Sequence, residues 1–70
     1  MKNNRIPRNF YGITVKMLID TSETKKNDII HISKNNFGYL GYNKRTNRHF
    51  YCFVSMLRNS ECCELLEVTK

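Results

Sequence analysis

From Tyr11 onward the chain alternates apolar and polar side chains. Tyr11, Ile13, Val15, Met17 and Ile19 share one parity, and Gly12, Thr14, Lys16 and Leu18 share the other. Successive strand residues point to opposite faces, so this alternation predicts a half-buried strand. "DTSETKKND" breaks the pattern with turn-forming residues. "DIIHIS" resumes it, with Ile30 and Ile32 on one face and Ile29 and His31 on the other. "KNN" turns the chain into "FGYLGYN". The four residues "KRTN" then join that run to "RHFYCFVSM", which predicts an aromatic hairpin.

A turn at Lys44–Asn47 fixes the hairpin register. Asn43 then faces Arg48, Tyr42 faces His49, Gly41 faces Phe50, Leu40 faces Tyr51, and Tyr39 faces Cys52. Continued further, the same register sets Gly38 against Phe53 and Phe37 against Val54. Phe37, Tyr39, Phe50, Cys52 and Val54 make a nearly apolar face, the natural core side. Tyr42, His49 and Tyr51 lie opposite, beside Lys44, Arg45 and Arg48. Amphipathic rings next to cationic groups are the materials of a recognition surface.

The last segment, "NSECCELLEVTK", supports two readings. Cys62, Glu64, Leu66 and Val68 alternate with Cys63, Leu65 and Glu67 as an edge strand would, and this is the preferred form. Alternatively Ser60 caps a helix from about residue 60, with Glu61 and Glu64 in its first turn, giving an α+β chain. Five short strands and few helix signals predict an all-β domain: a small, strongly bent five-stranded antiparallel sheet or a small barrel.

The succession "VKMLID", "TSETKKND", "DIIHIS", "FGYLGYN", "RHFYCFVS", "SMLRNS" and "CELLEV" resembles an SH3-like barrel over about residues 12–68. The acidic loop and paired tryptophans of signalling SH3 domains are missing, so proline-rich ligands are not implied. Such folds host many functions. "NNFGYLGY" is also similar to the RNP1 motif of RNA-recognition domains at Phe37, Gly38, Tyr39, Leu40 and Tyr42. Asn35 and Asn36 depart from it, and the chain has no room for that fold's two helices.

Seventy residues make one domain, read as residues 10–70 behind a flexible basic arm, 1–9. In the arm, Lys2, Arg5 and Arg8 surround Pro7, which disfavours helix at Ile6. A chain this short buries about 60% of its unfolded surface, so a deep catalytic pocket would compete with the core. A hydrophobic content of 40% excludes a disordered chain. Net charge is +6, with +8 on residues 1–58 and −2 on residues 59–70. A basic body suits an anionic partner. Ala, Gln and Trp are absent while Asn, Lys and Ile abound, a low-GC coding bias.

Cys52, Cys62 and Cys63 are odd in number and lack Cys-x-x-Cys spacing. They read as free thiols of a cytoplasmic protein, and no metal or cofactor is expected. His31 and His49 have no nucleophile or acid–base partner in the pattern, so no enzyme activity is expected. No signal peptide or membrane-spanning run is visible.

In size, coding bias and charge the chain resembles the small host-takeover proteins of phages. That resemblance implies a non-catalytic modulator in the host cytoplasm that inhibits or redirects a host bacterial protein. Its contact residues would be Tyr42, Lys44, Arg45, Arg48, His49 and Tyr51, with Lys2, Arg5 and Arg8 as a secondary basic arm. The alternative is a nucleic-acid-binding module contacting phosphates and stacking bases.

Overall fold

The alternation that begins near Tyr11 builds a five-stranded antiparallel sheet. The computed structural model describes residues 4–6 and 9–69. Its elements in chain order are β1 (Gly12–Met17), β2 (Ile29–Asn35), β3 (Gly38–Asn43), β4 (Arg48–Cys52), α1 (Val54–Arg58) and β5 (Cys63–Thr69). The strand order is β4-β3-β2-β1-β5. The sheet stays open, with β4 and β5 as its edges, so the closed SH3-like barrel is not formed. The helical alternative for the C-terminal segment is displaced by β5.

Parity decides which side chains go inside. Ile13 pairs with Ile32 and Val15 with Ile30, which sets four branched side chains on one face. These four, with Met17, Leu57 and Cys63, form the buried core. Removing each large aliphatic side chain from water stabilises the fold by roughly 1.5–3 kcal/mol. One face of the sheet is covered, and its cover comes from outside the sheet. Ile6 and Phe10 of the N-terminal segment and Met56 and Leu57 of α1 pack there.

The expected hairpin pairing is present from Asn43–Arg48 to Tyr39–Cys52. It stops earlier than parity predicts. β4 ends at Cys52 and the chain turns into α1, so the pairs Gly38–Phe53 and Phe37–Val54 do not form. Phe37 sits in the β2–β3 turn at 85% exposure and is not a core residue. The side chain of Val54 lies outside what the structure describes. Gly38, with φ of 133°, completes that turn in a conformation that side-chain-bearing residues rarely adopt.

β5 carries a bulge. Thr14 pairs with Glu67 but Val15 pairs with Leu65, so Leu66 is an extra residue without a partner in β1. The bulge reverses parity midway. Leu65 and Val68 therefore both pack against the core, while Leu66 turns outward.

A five-residue helix cannot hold itself in water. α1 is held by Leu57, which enters the core, and by Asn4. The Asn4 side chain donates to the carbonyl oxygens of Leu57 (2.9 Å) and Cys63 (2.8 Å), and its backbone amide donates to Arg58 (2.9 Å). Part of the basic arm thus ties α1 to β5. Arg5 is exposed beside it, and Lys2 and Arg8 lie outside the described residues.

Candidate interaction face

Among the described residues, no segment covers the second face of the sheet. Across it runs one row of paired residues, Glu67, Thr14, His31, Tyr42 and His49, one from each strand. A parallel row carries Thr69, Gly12, Ser33, Leu40 and Tyr51. The register therefore brings Tyr42, His49 and Tyr51 together on this uncovered face, as the hairpin parity predicts.

Local contacts fix the Tyr42 and His49 rings. The Tyr42 hydroxyl donates to Asn47 Oδ1 at 2.6 Å, which leans the ring toward the β3–β4 turn. Asn47 itself has φ of 57°, a left-handed conformation that asparagine tolerates. The Tyr42 and His49 rings lie 4.8 Å apart at 44°. Tyr51, two residues on, stays 56% exposed. Thr14 Oγ1 and His31 Nδ1 share a hydrogen bond of 3.2 Å. A shallow depression of about 300 Å³ lies between Gly12, His31, Leu40 and Tyr42. Its floor is low because glycine and serine stand between larger neighbours.

Two of the expected cationic members, Arg45 and Arg48, do not join this face. Arg45 turns to the other side, where its Nε donates to Asp28 Oδ1 at 2.6 Å. Arg48 pairs with buried Asn43 and is exposed near Thr21–Lys25, also on the other side. Lys44 is exposed in the turn. Strand parity could not place Arg45, because turn residues have no parity.

Arg45 belongs to a polar network that sequence reading missed. Asp28 is buried and accepts from three donors: Arg45 Nε, the Asn43 side-chain amide (2.8 Å) and the Lys25 backbone amide (2.8 Å). Asn43 Oδ1 accepts from the Arg45 backbone amide at 3.0 Å. The Arg45 hydrogen bond, aided by the Lys25 and Asn43 amides, outweighs burial and holds the Asp28 carboxyl well below the usual carboxylate range. One sequence signal pointed here. Asn43 falls on the core parity of β3, and a polar side chain at a core position needs buried partners.

The cysteines are free thiols, with Cys63 buried and Cys52 and Cys62 partly so. Burial, with Cys63 nearby, pushes the Cys52 thiol up to about 11. Burial also raises Cys63. The thiolate is the reactive form, so alkylation near pH 8 is expected to modify Cys62 ahead of Cys52 and Cys63. Peptide mapping after a short iodoacetamide pulse checks this order; Cys52 or Cys63 labelling first would contradict the packing. Among the described residues no three His, Cys, Asp or Glu side chains gather to hold a metal ion. Nor is any helix among them long and apolar enough to cross a membrane.

Comparison with protein-family models, with curated proteins and with solved structures finds no match for this chain.

Proposed function

We propose that the protein is a non-catalytic binding module that docks on another protein through its uncovered sheet face and inhibits or redirects it. In the fuller form of this reading the chain is phage-encoded, its target is a host bacterial protein, and it works in the host cytoplasm. One observation carries the proposal. Tyr42, His49 and Tyr51 share a face that the core does not use, while Arg45 and Arg48 diverge from it. Tyr51 is exposed and Tyr42 half-buried, and tyrosine is a favoured anchor of protein interfaces. A stacking surface for nucleic acid would instead bring its cations to the rings, to neutralise the phosphates between stacked bases.

The test is capture from a low-GC bacterial lysate on the tagged full chain, with and without nuclease. A protein retained after nuclease treatment is the expected result. Retention that disappears with nuclease, or that fades steeply with added salt, would instead favour the nucleic-acid alternative.

A further inference from the structure

The two edges of the sheet are built differently. β5 is protected: its bulge at Leu66 breaks the regular ladder, and Glu64 and Glu67 are exposed along it. Bulges and charges are the usual devices that stop an edge strand from pairing with another chain. β4 has neither a bulge in its pairing with β3 nor a proline. Its outer backbone edge is regular, five residues long, and followed by Phe53 at 78% exposure.

Beside that open edge, on the core side of the sheet, lies a depression of about 170 Å³. Phe50, Cys52, Phe53 and Met56 line it, together with Tyr51 and Thr21–Glu23. Arg48 shares the parity of Phe50 and Cys52 and makes no ion pair among the described residues. Charge also separates the edges. The 18–28 loop, the 44–47 turn and Arg48 carry Lys25, Lys26, Lys44, Arg45 and Arg48 against Asp20, Glu23 and Asp28. Residues 59–69 carry Glu61, Glu64 and Glu67 with no cation.

We propose that β4 is a docking strand, and that an extended, carboxylate-bearing segment of the partner protein adds to its open edge as a sixth strand. This rests on the protein-binding reading and names how the partner is held. Backbone pairing supplies affinity in such complexes, and alternate side chains supply specificity. An antiparallel partner strand places its alternate residues opposite Cys52, Phe50 and Arg48 in turn. The first two of these are apolar and fill the depression beside Phe50, Cys52 and Met56. The third is Asp or Glu and meets Arg48. On the other face the strand lies beside Tyr51 and His49, so the edge continues the uncovered face. The acidic β5 edge repels the same segment.

The probes are the synthetic peptide Thr-Val-Thr-Val-Thr-Glu-Thr and its counterpart with Lys in place of Glu, titrated to millimolar concentration onto the full chain. Amide hydrogen exchange is followed residue by residue. The Glu peptide is expected to slow exchange in Arg48–Cys52 and not in β5, and to bind about ten-fold more tightly than the Lys peptide. Arg48→Glu is expected to reverse that preference. No slowing with either peptide, or slowing on β5, overturns the proposal. So does slowing on β4 that rises with protein concentration alone, which would make a second copy the occupant. A lysate protein that is captured yet leaves β4 exchange unchanged also overturns the docking strand while the protein-binding reading stands. Failure to capture any protein overturns that reading instead.

Discussion

Replacing Asp28 by alanine is expected to lower the unfolding free energy by about 3 kcal/mol, a large share of what a domain of this size possesses. The carboxylate joins two segments far apart in sequence, the 18–28 loop and the β3–β4 turn. Its removal leaves the fully buried Asn43 side chain without its 2.8 Å acceptor, and the Arg45 guanidinium without its carboxylate. The effect depends on pH in a determined direction. The folded-state carboxyl titrates below its ordinary value of 3.8, so the unfolded chain takes up a proton first as pH falls. The stabilisation is complete well above pH 3.8 and is lost as pH drops below that value toward the folded one. Urea unfolding at pH 7 and pH 3 checks this. The gap between wild type and Asp28→Asn should be wide at pH 7 and narrower at pH 3. An equal gap at both would mean that the carboxylate charge contributes nothing.

Leu57→Ala is expected to cost a similar amount, about 3 kcal/mol within the usual range for a buried leucine. Leu57 is fully buried, and it comes from the short helix and not from the sheet. α1 has no side-chain cap at its start and too few residues to persist alone. Losing this anchor therefore removes apolar contact and also loosens the cover over Cys63, whose thiol faces the Leu57 and Met56 carbonyl oxygens. Two readouts should move together. The urea midpoint should fall, and Cys63 should become alkylated faster. Leu57→Met, which keeps most of the volume, should restore both in large part. A Leu57→Ala protein as stable as wild type would place the core elsewhere.

Much of this architecture was legible in the sequence because two local rules reinforce each other. Alternation assigned Ile13, Val15, Ile30 and Ile32 to one face, and a four-residue turn fixed the β3–β4 register pair by pair. Where those rules lapse, legibility lapses with them. The apolar run continues through Phe53 and Val54, and periodicity over so few residues does not mark where strand gives way to helix. The bulge at Leu66 inverts parity without any glycine to announce it. Asn4 sits in a segment whose composition suggests a mobile basic arm, yet its amide bonds Leu57 and Cys63 across more than fifty residues of sequence. The candidate face divides along the same line. Tyr42, His49 and Tyr51 were correctly grouped by parity, whereas Arg48, also in β4, has the opposite parity and was wrongly set beside them. The turn residue Arg45 could not be placed by parity, because only the folded chain shows Asp28 waiting for it.

The network around Asp28 also explains how a small sheet can leave one face uncovered. Its core is closed on the other side by α1, by Ile6 and Phe10, and at one end by polar pairing of loop and turn. Tyr42, His49 and Tyr51 take no part in that closure. The side chains that build the core are thus distinct from the aromatic side chains of the second face.

The most direct test of that separation is the yield of captured partner on tagged Tyr42→Ala/Tyr51→Ala, measured beside wild type on protein whose urea transition has been recorded. The expected result is a fall in captured partner of about ten-fold or more, from loss of two interface anchors, with a single cooperative transition of unchanged steepness. Undiminished capture, or a variant that no longer unfolds cooperatively, would contradict the account: the first because the face does not bind, the second because its rings belong to the core.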